Sequence, residues 1–138
     1  MLLVCCIAVL AQEFELPLDI KGAHVAQIFL ACQKGATGGY DKGKDIYIPP
    51  AAFQTGHIGI CTQKKDGLYL YKDVRDASLP QEWAIACTPN VSMTLSWKRE
   101  ALPKSVSFTI KAGQGQPLDM GKYAQITVKK KCHGHVLM

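Results

Sequence analysis

The chain has 138 residues and a formal net charge of +5, and 48% of its residues are hydrophobic. That length suits one domain, and this apolar share is ordinary for a packed core. Beyond the first residues no apolar run is long enough to be a membrane helix, and the moderate basicity does not by itself establish nucleic-acid binding.

Residues 1–11, MLLVCCIAVLA, carry no charged side chain. A helix that crosses a bilayer needs about 20 apolar residues, so this run is too short for one. It has the dimensions of a signal-peptide core, with the small residues Val9 and Ala11 ahead of a cleavage point. Basic residues before the apolar core, usual in such leaders, are missing. The expectation is a signal peptide at 1–11 and a single secreted β-rich domain at 12–138, beginning at Gln12. The competing expectation is a buried N-terminal strand.

Cysteine usage points the same way. Cys5 and Cys6 fall in the leader, and Cys32, Cys61, Cys87 and Cys132 fall in the domain. An even count in a small exported domain implies a disulfide framework, and no pair has the CxxC spacing of a redox motif or zinc knuckle. Of three connectivities, the expected one is Cys32–Cys132 with Cys61–Cys87. The triplet Asn90-Val91-Ser92 makes Asn90 a glycosylation acceptor if the chain is secreted from a eukaryotic cell.

Along the domain, residues 12–23 suggest a lead-in or first edge strand. The apolar run 25–33, VAQIFLACQ, fits a central strand or a short helix. The glycine- and lysine-rich stretch KGATGGYDKGKD at 34–45 predicts an exposed loop, followed by a short strand at 46–48 that Pro49-Pro50 ends. Residues 57–63 and 68–72 predict a hairpin turning at Asp66-Gly67. Pairing Lys65 with Leu68 puts Tyr69 and Tyr71 on the face of Ile58 and Ile60. Residues 74–80 suggest a turn, and 82–88 a strand. Strict alternation then marks Val91, Met93, Leu95 and Trp97; Val106, Phe108 and Ile110; and Ala124, Ile126 and Val128. A period of two means half-buried strands. The expected fold is all-β, a small disulfide-stabilised antiparallel sandwich or barrel. The alternative is a compact α+β domain with one short helix at 25–33 or 50–56.

Chemical motifs are sparse. His133 and His135 share one side of an extended segment and are weak metal ligands without a third. His57 with Glu82, or His57 with His133, is the weak catalytic candidate, in the manner of secreted ribonucleases that use an acid–base pair beside a basic side chain to cleave a phosphodiester. The sequence has no GxSxG elbow, Walker loop, HExxH or EF-hand loop. Lysines cluster near turns and at Lys129, Lys130 and Lys131, while arginine is scarce. That favours steering toward anionic partners over bidentate base reading. Tyr69 and Tyr71 beside lysine form a possible binding surface.

The expected function is that of a secreted, extracellular, non-enzymatic interaction protein, an effector, toxin-like protein or surface ligand. It would bind an extracellular or host protein or glycan. Weak anionic contacts would assist, with no cofactor, no membrane span and no sequence-specific nucleic acid. Two alternatives stand beside it: a small ribonuclease-like enzyme or inactive relative, and a carrier of an apolar ligand in an interior cavity.

Overall fold

Alternation of apolar and polar residues sets the elements of this chain. The computed structural model describes residues 2–8, 13–37, 39–48, 57–62, 68–77, 81–87 and 92–129, with the backbone alone over 5–8. The strands are β1 (Leu2–Ala8), β2 (Phe14–Lys21), β3 (Gln27–Cys32), β4 (Ile46–Ile48), β5 (Ile58–Cys61) and β6 (Tyr69–Arg75). They continue with β7 (Gln81–Cys87), β8 (Met93–Ser96), β9 (Val106–Ala112), β10 (Leu118–Asp119) and β11 (Gln125–Val128). Among the described residues the only helical turn is a 3₁₀ turn at Arg99–Ala101. The 25–33 run therefore holds strand β3 rather than a helix, and 50–56 lies outside the described residues.

The strands form one 11-stranded sheet in the order β10-β9-β1-β7-β5-β6-β3-β2-β8-β11, with β4 paired to β6 off this path. The sheet is curled into an open half-barrel. Its two end strands, β10 and β11, are joined by residues 120–124 alone. Those few residues reach roughly 20 Å at full extension. Ten strands laid flat would set the ends about 43 Å apart. Trp97 ties the two ends: its Nε1 donates to the Met120 carbonyl just past β10 at 2.9 Å, while its amide donates to the Ala124 carbonyl at 3.0 Å and extends the β8–β11 ladder.

The concave face holds one continuous core. Leu16 and Leu18 of β2, Ile28 and Leu30 of β3, Ile58 and Ile60 of β5, and Trp83 and Ile85 of β7 are all fully buried there. Phe14 bridges the halves across the interior. Its ring meets Phe108 at 5.2 Å and Trp83 at 6.1 Å, both edge-on, the favoured geometry for aromatic quadrupoles.

Several expectations are corrected. The sheet is not wholly antiparallel: β3 runs parallel to β6, which the long crossover of residues 33–68 permits. β2 is no edge strand, because it lies between β3 and β8. The hairpin register differs as well. Ile60 faces Leu70 and Cys61 faces Tyr69, a shift of three residues from the expected pairing. An odd shift exchanges the faces. Leu70 therefore enters the core with Ile58 and Ile60, and Tyr69 turns to the other side. Residues 74 and 75 belong to β6 and are not a turn.

No disulfide joins Cys61 to Cys87. Cys61 pairs with Ala84, and Cys87 pairs with Ile58. The two cysteines are thus about 10 Å apart along the ladder and on opposite faces. A disulfide needs Cα atoms within about 7 Å. Cys87 is partly buried against the core, and that burial pushes its thiol up to about 11. Cys32 is buried in β3, and Cys132 lies outside the described residues.

Residues 2–8, leader-like in composition, are β1 in the folded chain. They lie between β7 and β9, with Leu2 and Val4 fully buried.

The turn from β2 to β3 abuts β8. Gly22 has φ +95, and a Cβ there would collide with the Ser92 carbonyl oxygen. Gly35 has φ +86 with nothing within 4 Å of the same position. Gly35→Ala should therefore cost only the left-handed strain, about 1–2 kcal/mol. Gly22→Ala should cost more, because backbone of β8 must move as well. Urea denaturation of the two variants checks this order; equal losses would contradict the close approach.

Candidate functional site

The described chemistry gathers around β6. The β4–β6 ladder passes from Ile46↔Lys72 to Tyr47↔Leu70, so two residues of β6 advance for one of β4. This is a β-bulge at Tyr71, and it reverses the alternation of β6. Leu70 faces the core before it. Beyond it, Asp73 lies opposite Leu30 and Arg75 opposite Cys32, both core residues. The bulge thus sends a carboxylate and a guanidinium inward, where they are 0% and 2% exposed.

The pair is bound tightly. Arg75 Nε donates to Asp73 Oδ2 at 2.9 Å, Nη1 donates to the Glu82 carbonyl, and Nη2 donates to the Cys61 carbonyl at 3.5 Å. The guanidinium carbon stands 5.1 Å from the Trp83 ring centre, a cation–π contact in a dry setting. Arg75 therefore joins β5, β6 and β7 from inside. Asp73 Oδ1 is buried with no hydrogen-bond partner among the described residues. Burial drives the Asp73 carboxyl up to about 6, against the pull of Arg75.

The outer face of the same strand carries the loop from β3 to β4. Asp45, itself buried, accepts the Val74 amide of β6 at 2.6 Å on Oδ1 and the Asp41 amide at 2.6 Å on Oδ2. Burial raises its pKa, and these two donors oppose the rise. Asp41 in turn accepts the Thr37 amide at 2.7 Å and the Thr37 hydroxyl at 2.8 Å. Ala36 packs with Ala31 and Val74 beneath. The loop is consequently a built element pinned to the sheet.

Three of its outward side chains are large and apolar or aromatic. Tyr40 is 40% exposed, Ile46 52% and Tyr47 47%. The Tyr40 and Tyr47 rings meet edge-on at 5.8 Å. Lys34 and Lys42 are exposed on the same loop, and Lys44 is half-buried.

The sequence-derived candidates fall elsewhere. His57 precedes Ile58 of β5, and Glu82 lies near the far end of the β5–β7 ladder, six residues away, or about 20 Å. The structure does not bring them together. The His57 ring lies 5.2 Å from that of His24. Tyr69 is half-buried opposite Cys61, and Tyr71, the bulged residue, packs against the core. Lys129 is exposed. Lys130, Lys131, His133, His135 and Asn90 lie outside the described residues. Among the described residues no group of three His, Cys, Asp or Glu could hold a metal ion, and no helix is long and apolar enough to cross a membrane. A surface groove of about 330 Å³ has Glu13, Glu15 and Lys72 in its walls beside Phe14, Cys32 and Val74. Glu15 and Lys72 form an ion pair at 2.6 Å across it. The groove is open to solvent, with charged side chains in its walls.

No family model matches the chain, and no curated protein or solved structure is significantly similar to it.

Two outcomes test the buried pair. Arg75→Met strands Asp73 in the core and should cost about 3–5 kcal/mol of stability. Adding Asp73→Leu should recover much of that loss; no recovery in chemical denaturation would mean that the guanidinium acts through its other contacts. The pH dependence is set by direction. An unfolded aspartate titrates near 3.8 and folded Asp73 near 6. Between those values the folded state binds more protons, so Asp73 contributes stability that is lost as pH rises through about 6. Asp73→Asn should flatten that part of the stability profile, and an unchanged slope would reassign it.

Proposed function

We propose that the protein is an exported, non-enzymatic binding protein that engages an extracellular or host macromolecule through the 34–48 loop and β4. The observation that carries this reading is the exposed set Tyr40, Ile46 and Tyr47 on a loop held by buried Asp45. Tyrosine offers large contact area at little entropy cost, and a preformed loop loses little more on binding. The exposed Lys34 and Lys42 favour a partner with an acidic surface and speed encounter without fixing geometry. A protein is the preferred partner, because Ile46 adds an aliphatic contact. Export rests on the leader-like residues 1–11. An effector or toxin-like role is consistent with this format, and the format does not choose among such roles.

The test is a binding screen of extracellular proteins and glycans, followed by variants. Tyr40→Ala with Tyr47→Ala should weaken the captured complex at least tenfold and leave the melting temperature nearly unchanged. Lys34→Glu with Lys42→Glu should slow association at low salt and matter little at high salt. Unchanged affinity in the tyrosine variant would remove this surface from consideration. Cleavage of a generic RNA that disappears with His57→Ala would replace the binding reading with the enzymatic one.

A further inference from the structure

Strand β1 occupies an unusual seat. It is antiparallel to both of its neighbours, with Leu2 opposite Ile85 and Ala112, and Val4 opposite Trp83 and Ile110. Leu2 and Val4 are fully buried, and the facing residues Trp83, Ile85 and Ile110 are buried too. The other neighbour of β9 is β10, a two-residue strand. Along the ladder, β1 alone connects β9 and β10 to the remaining strands.

Closing the gap without β1 is unfavourable. Both β7 and β9 are antiparallel to β1, so they run parallel to one another. Direct pairing would need a new parallel register and would leave the volume of Leu2 and Val4 unfilled in the core. Leaving the gap open exposes two rows of backbone donors and acceptors beside an apolar floor. That is the profile of a site for strand addition.

The segment in the seat also has the composition of a leader, and processing after Ala11 would excise it. We propose that the seat between β7 and β9 is a strand-acceptor site. It takes an extended, uncharged, aliphatic strand from another polypeptide whenever the chain's own Leu2–Ala8 segment is withdrawn or cleaved. The incoming strand runs antiparallel to both neighbours. It places large aliphatic side chains at the positions of Leu2 and Val4. The site shares no residue with the 34–48 loop, so either proposal can fail alone.

The experiment uses the full chain with Leu2→Asp and Val4→Asp, which makes the resident strand unfit for the core. The probe is a labelled peptide of residues 2–8 carrying a C-terminal lysine tag. The variant should capture the peptide one to one, and the unsubstituted chain should not. A peptide with aspartate in place of Val4 should fail. If the variant alone lacks a cooperative melt, the peptide should restore it. The proposal is overturned if the variant melts cooperatively yet captures no peptide, or if it is unfolded and the peptide does not restore it. Equal capture by the unsubstituted chain, or of the aspartate peptide, overturns it as well.

Discussion

A single backbone irregularity, the bulge at Tyr71, governs the arrangement of this molecule. Without it, β6 would keep one alternation from Leu70 to Arg75, and Asp73 and Arg75 would face solvent. With it, a cation and an anion enter a core otherwise built from aliphatic and aromatic side chains. Two charges in such a place are costly unless their donors and acceptors are satisfied. The guanidinium has a carboxylate, two carbonyls and the face of Trp83. It therefore fixes how β5, β6 and β7 meet, since each contributes an atom to it. Apolar packing alone would tolerate sliding between these strands; a planar fork of donors does not.

The same bulge organises the outside. The Val74 amide lies between Asp73 and Arg75 and is directed to Asp45, which accepts it at 2.6 Å. Asp45 in turn holds Asp41, and Asp41 holds Thr37. The ordering of the loop thus starts from the strand that carries the buried pair. A glycine-rich segment with three glycines near Tyr40 would be costly to order by itself. Chained carboxylate bonds offset that cost, and the exposed tyrosines are held by an interior arrangement. Stability of the core and readiness of the surface are coupled through β6.

How much of this was legible in the residues differs by element. β8, β9 and β11 were visible because their strict alternation leaves one apolar face each. β5 and β6 were visible as strands, but their register was not. Asp66-Gly67 suggested a tight two-residue turn, whereas the core selected the pairing that buries Leu70 against Ile60. A bulge has no composition signature, so the inward turn of Asp73 and Arg75 could not be read. The available hint was their spacing of two in a strand-like run, which puts opposite charges on one face. Scarce arginine argues against bidentate base reading. It also concealed that Arg75 is a core residue. Asp41 and Asp45 carry no signal inside a run that reads only as an exposed loop, because their partners, Thr37 and the Val74 amide, become neighbours only in the fold.

The N-terminal segment shows a different limit. A leader core and a central strand ask for the same residues: short, uncharged and aliphatic. Composition therefore cannot separate them. What separates them is the destination, either a lipid-facing helix during export or a seat bounded on both sides by strands. The curled sheet supplies that seat, with Trp83, Ile85 and Ile110 meeting Leu2 and Val4 in register. In that seat the segment is held by backbone pairing and apolar contact. Residues 2–8 contribute no charge to fix its neighbours. Interactions of that kind recognise a pattern of side chains more than one particular sequence. Any uncharged aliphatic strand with the same alternation meets the same physical requirements at that position, whichever polypeptide supplies it.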